Sequence, residues 1–135
     1  MDTRAEVERL TANFAKAVTD RDFAALAPFY EERARFLPPG HSMVEGPAAI
    51  QASIQKMVEG GIRTLDLEAV DVIEAGDFVI EIGRTTVTIR PPGAMSLLLL
   101  LMGKRTLTKC GKPIVVWRRQ KDGALKIVAD TFNSD

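Results

Sequence analysis

Apolar positions in the first half of the chain recur at helical spacing. Val7, Leu10, Phe14, Ala17 and Val18 form one stripe, the pattern of a helix that buries a single face. Thr3 and Glu6 just ahead of it match a capping box, in which each side chain satisfies the other's free backbone N–H. Asp20-Arg21-Asp22 breaks the pattern, and Asp22 is placed to cap a second helix through Phe23, Leu26, Phe29 and Tyr30. Pro38-Pro39-Gly40 stops regular structure and opens a loop from His41 to Glu45. Gly46-Pro47 begins a third helix, because proline suits the first helical position. Ile50, Ile54, Met57 and Val58 form its stripe, and Gly60-Gly61 ends it.

From Thr64 the period becomes two. Leu65, Leu67 and Ala69 alternate with Asp66 and Glu68, and the alternation shifts at Val70, which predicts a bulge. After a turn at Glu74 to Asp77, Phe78, Ile80 and Ile82 face one way, and Val87 and Ile89 the other. The switch is expected at Gly83, where a bend costs least. Pro91-Pro92-Gly93 ends that strand. Further strands are expected at Thr106 to Thr108, Ile114 to Trp117 and Leu125 to about Phe132, with Lys121-Asp122-Gly123 as a hairpin loop. Helices segregated from strands predict an α+β fold rather than a doubly wound sheet. A bulged meander curls, and helices covering one side of it leave a concave interior.

The charge balance, 18 Lys and Arg against 18 Asp and Glu in 135 residues, excludes a strong overall field for nucleic acid or an anionic membrane and leaves room only for a local basic patch. Length predicts one domain over residues 1–135. The single cysteine, Cys110, excludes an intrachain disulfide, and neither a His-rich metal site nor a Ser-His-Asp triad is readily built around the single histidine, His41. No Gly-rich phosphate loop is present, so neither a nucleotide cofactor nor a metal is expected. The charged start carries no secretion signal, and the apolar run Ala94 to Met102 is too short to span a bilayer. A cytoplasmic protein with neither membrane nor nucleic-acid partner is the expectation.

Several segments, in this order, give a resemblance. They are Asp20-Arg21-Asp22 with Leu26 to Tyr30, Phe36-Leu37-Pro38-Pro39-Gly40, Glu45-Gly46-Pro47-Ala48-Ala49-Ile50, Gly111 to Arg119, and Ala129-Asp130-Thr131-Phe132. The chain resembles the SnoaL-like proteins of the nuclear transport factor 2 and ketosteroid isomerase superfamily over nearly its whole length. The resemblance implies a cone-shaped barrel, its curved, mostly antiparallel sheet packed on three N-terminal helices around an interior pocket. It also implies a homodimer formed through the sheet. It implies no single activity, since the superfamily spans isomerases, cyclases, dehydratases, epoxide hydrolases and proteins without chemistry.

Ketosteroid isomerases use a carboxylate base with a tyrosine and a protonated aspartic acid as oxyanion donors. The resemblance places Leu37, Phe14 and Val115 at those positions. None can accept or donate the proton, so isomerase chemistry by that residue set is rejected.

Asp130 is the strongest remaining candidate. The resemblance turns its strand face, shared with Val128 and Phe132, toward the cone interior. A carboxyl in an apolar cavity is pushed toward the range useful for acid–base work. The competing reading is a structural Asp bonded to backbone N–H groups or an arginine. His41 is either a proton shuttle at the pocket mouth or a solvated loop residue. Tyr30 either donates into the cavity or is core with its hydroxyl at an edge. Glu81 faces either the pocket or solvent. The expected pocket wall is Phe14, Leu37, Val115, Trp117, Val128 and Phe132. The run Ala94 to Met102 is a buried strand or loop, a lid or a dimer contact.

The function that follows is a small-molecule pocket protein. One expectation is an acid–base enzyme of isomerase, cyclase or dehydratase type that acts on an apolar carbonyl-containing or polycyclic compound by residues other than the ketosteroid isomerase set. The alternative is a non-catalytic ligand-binding or assembly module.

Overall fold

A computed structural model describes residues 2–135. Helix α1 (Thr3–Thr19) is capped by Asp2, whose carboxylate accepts from the Ala5 N–H at 2.7 Å. The expected cap, Thr3, is already helical and its hydroxyl instead reaches Glu74. Arg21, at φ 60°, turns the chain out of α1.

The expected second helix does not form. Two 3₁₀ turns, Phe23–Ala25 and Ala27–Phe29, take its place, and Tyr30 opens strand β1 (Tyr30–Leu37). Pro28 offers no N–H to an α-helical ladder. The charges of Glu32, Arg33 and Arg35 stay in solvent while Ala34 and Phe36 are buried. After the short strand β2 (Val44–Glu45), α2 (Pro47–Glu59) buries Ile50, Ile54 and Val58.

Strands β3 (Ile62–Ala75), β4 (Phe78–Ile89), β5 (Leu107–Gly111), β6 (Ile114–Arg119) and β7 (Leu125–Thr131) complete a curved, unclosed sheet. Its order is β2-β1-β7-β6-β4-β3, with β5 also on β4. Only β1 and β7 run parallel. The α+β class stands, with two helices and two 3₁₀ turns where three N-terminal helices are expected. The register of β3 against β4 shifts between Ala69 and Asp71, the bulge expected at Val70. Arg4 of α1 serves that bulge, donating to the Ala69 carbonyl at 3.1 Å.

Two strand faces differ from expectation. In β4 the buried side is Val79, Glu81, Gly83 and Thr85 without interruption. There is no switch at Gly83, and Phe78, Ile80 and Ile82 face outward. An outer face rich in apolar residues imitates a core face in sequence. Gly83 is needed for close approach instead: a Cβ there would lie 3.1 Å from both the Glu68 carbonyl oxygen and Pro113 Cγ. In β7 the register against β6 shifts so that Trp117 pairs with Ile127 and Val116 with Ala129. Val128 is the bulged residue, which breaks the expected alternation of Val128 with Asp130.

The run Ala94–Leu101 is a helix, α3, rather than a strand or loop, and only Leu99 in it is buried. Among the described residues no helix is long and apolar enough to cross a membrane.

Candidate active site

The concave face of the sheet, α1 and α2 enclose a cavity of about 120 Å³. A void that holds one water needs only about 10–15 Å³, so this space is suited to an organic ligand. Its wall is almost wholly apolar. Thr11, Glu68, Glu81, Thr85 and Asp130 bring the polar side chains, and no Lys, Arg or His lines it.

Asp130 and Glu81 face the same interior across β6. Val115 pairs with Glu81 on one side and with Asp130 on the other. Two strand spacings, about 9–10 Å, therefore separate their backbones. The two carboxyls differ in their bonding. Glu81 is 3% exposed, and the Thr11 hydroxyl donates to it at 2.8 Å and Trp117 Nε1–H at 3.1 Å. Asp130 accepts one bond, from the Tyr30 hydroxyl to Oδ2 at 3.0 Å. Among the described residues nothing else donates to it, so Oδ1 is free for a ligand.

Burial pushes Asp130 up to about 6, further raised by the Glu81 charge and partly offset by the Tyr30 hydrogen bond. Burial also raises Glu81, against the bonds from Thr11 and Trp117. Tyr30 is driven well above the ordinary phenol range, by burial first and then by the Asp130 charge. It therefore stays protonated and remains a donor to Asp130. Replacing it with Phe removes that bond. In a Tyr30→Phe variant we expect the Asp130 titration to move upward, read by NMR of the carboxyl carbon; an unmoved or lowered midpoint would contradict this arrangement.

The sequence-predicted residues separate into two groups. Phe14, Glu81, Val115, Trp117, Asp130 and Phe132 line the cavity. Tyr30, 2% exposed, lies behind Asp130 and does not line it, so it positions the carboxyl rather than touching a ligand. His41 is exposed on the loop between β1 and β2 and lines no part of the cavity. Leu37 is 41% exposed on the outer side of β1, and its neighbour Phe36 takes the inner place. The bulge removes Val128 from the wall, and Ile127 replaces it.

Thr11 is missing from the sequence-predicted set. A signal for it exists: Val7, Thr11, Phe14 and Val18 share one helical stripe, and a hydroxyl at a core position needs a partner. Among the described residues no three His, Cys, Asp or Glu side chains come together as metal ligands.

Known structures share this architecture. One is ActVI-ORFA from Streptomyces coelicolor, at 18% identity and TM-score 0.77, covering 98% of this chain and 96% of that one. A second is the hexachlorocyclohexane dehydrochlorinase LinA-type3 from Novosphingobium barchaimii, at 15% identity and TM-score 0.75, covering 98% and 86%. A third, a ketosteroid isomerase-like protein from Erwinia carotovora, is 12% identical at TM-score 0.76, covering 99% and 98%. At these identities the likeness is one of fold. No protein of curated function matches the chain significantly. The SnoaL-like domain model matches residues 11–129, a span that holds the cavity wall from Thr11 to Ile127 and stops one residue short of Asp130, and the chain belongs to the SnoaL-like family.

Proposed function

We propose that this protein is an acid–base enzyme acting on an apolar carbonyl-containing or polycyclic compound, with Asp130 as its general acid/base. The observation that carries this is the free Oδ1 of Asp130 in the wall of an open apolar cavity. A carboxyl near 6 both takes and returns a proton close to neutral pH. Glu81, bonded by Thr11 and Trp117, adds its charge to burial in raising Asp130. The hexachlorocyclohexane dehydrochlorinase LinA-type3 shares the fold, which is consistent with proton-transfer chemistry in such a pocket. The test is exchange of deuterium into the position beside the carbonyl of apolar ketones, followed by NMR. Exchange by the wild type that Asp130→Asn loses supports the reading; binding without exchange in either form leaves a ligand-binding module instead.

The cavity lacks any cation to pair with an anion. Apolar ligands with a carboxylate are therefore expected to bind at least tenfold more weakly than isosteric amides, since an unpaired charge in such a site is costly. Titration followed by the fluorescence of Trp117, the single tryptophan, measures both. Equal affinities would contradict the assigned polarity of the site.

We also propose a homodimer through the outer sheet face. Ile73, Ile80, Ile82, Ile114 and Val116 are neighbours across β3, β4 and β6, and Ile114 is 45% exposed. Covering such a face removes apolar surface from water. Ile82→Glu is expected to give a monomer by light scattering, and an unchanged mass would discard this interface.

A further inference from the structure

The zero net charge of the chain conceals a separation. Between Ile82 and Gln120 there are eight Lys and Arg residues and no Asp or Glu. Four of the cations pair with acids elsewhere: Arg84 with Glu68, Lys112 with Asp135, Arg118 with Glu31 and Arg119 with Glu6. Arg90, Lys104, Arg105 and Lys109 have no ion-pair partner among the described residues. Three of these four, Arg90, Lys104 and Arg105, flank α3 in sequence. Arg90 and Arg105 share a cleft with Ser96 and Leu100 of that helix.

Helix α3 is itself unusual. Met95, Leu97, Leu98, Leu100 and Leu101 are half or more exposed, Leu101 at 77%, and Met102 follows at 61%. The exposed apolar side chains occupy every side of the helix except the one held by Leu99 and the half-buried Ser96. A helix apolar all round belongs in an apolar medium, whereas a protein partner reads one stripe. None of its residues lines the interior cavity, so α3 is not its lid. A two-fold contact through α3 would bring the unpaired cations of both copies into one interface, which opposes self-association. Eight residues make a helix about 12 Å long, too short to span a bilayer but enough to enter one leaflet.

We propose that α3 and its flanking cations form a docking surface for an anionic lipid bilayer. The leucines enter the acyl boundary, and Arg90, Lys104 and Arg105 meet the headgroup phosphates and carboxylates. Attachment is peripheral and reversible, and it leaves the cavity and the outer sheet face free.

The experiment is flotation with phosphatidylcholine vesicles, with and without phosphatidylglycerol, at low and high salt. The protein should float with the anionic vesicles alone, and less as salt screens the cations. Arg90→Gln/Lys104→Gln/Arg105→Gln should weaken binding by roughly a hundredfold, about fivefold per cation. Leu97→Ser/Leu100→Ser/Leu101→Ser should abolish it. These positions are exposed, so both variants should keep the wild-type melting temperature and mass. Failure to float with anionic vesicles, equal flotation with neutral ones, or a leucine variant that floats like the wild type would each overturn the proposal. So would a leucine variant that falls to a monomer, since α3 would then be a subunit contact.

Discussion

Asp130→Asn should lower turnover by about 10²- to 10⁴-fold, the usual share of a general acid/base, while making the folded protein more stable at neutral pH. The two effects have one cause. The folded state holds the Asp130 proton up to about 6, against 3.8 for the ordinary group. Between those values the unfolded chain has lost its proton and the folded chain has not. Stability from this group is therefore complete below pH 3.8 and is lost as pH climbs to 6. The rise from 3.8 to about 6 corresponds to about 3 kcal/mol. Asparagine stays neutral and can still accept from Tyr30, so that loss disappears. Urea denaturation from pH 4 to 7 should show wild-type stability falling more steeply than that of the variant. Parallel slopes would mean that Asp130 does not titrate in this window; unchanged turnover would remove it from the chemistry.

Trp117→Ala should cost about 3–5 kcal/mol, as expected for emptying a buried indole site. That is a large part of the roughly 5–15 kcal/mol that holds a typical domain folded. Trp117 is 1% exposed and sits in β6 between Val79 of β4 and Ile127 of β7. Its loss opens the cavity wall and strips a donor from Glu81. Losing a donor to its charged form should raise the Glu81 carboxyl further. Trp117→Phe keeps most of the packing and loses only the Nε1–H bond, so it should cost about 1–3 kcal/mol. Urea denaturation separates the two. A Trp117→Ala loss no larger than that of Trp117→Phe would show that the indole does not hold the wall.

Much of the frame was legible before the structure. The stripes of α1 and α2, the bulge at Val70, the turn at Glu74 to Asp77 and the order of helices before strands follow from local pattern. Local pattern misled where charge or apolar surface imitated another element. Residues 30–37 carry four charged side chains, and their strand is imposed by parallel pairing with β7, a partner about 95 residues away. Phe78, Ile80 and Ile82 share one face, as their alternation predicts, but sequence periodicity does not say which side is covered, and the packed chain turns them outward.

The site divides in the same way. The sequence alone directed any chemistry toward carboxyls, because one His and one Cys leave few other groups, and it singled out Asp130 as the candidate. Only the tertiary structure decided what surrounds Asp130. It brought Tyr30 behind the carboxyl from 100 positions away and turned Glu81 inward against Thr11 and Trp117. It left His41 in solvent and set Ile127 in place of Val128. It also brought the unpaired Arg90 and Arg105 together beside Leu100 of α3, a local charge that a sum over the chain cancels. The reason is that burial and proximity are properties of the packed chain. A carboxyl's proton affinity, and the partner a surface selects, depend on which distant groups share its surroundings.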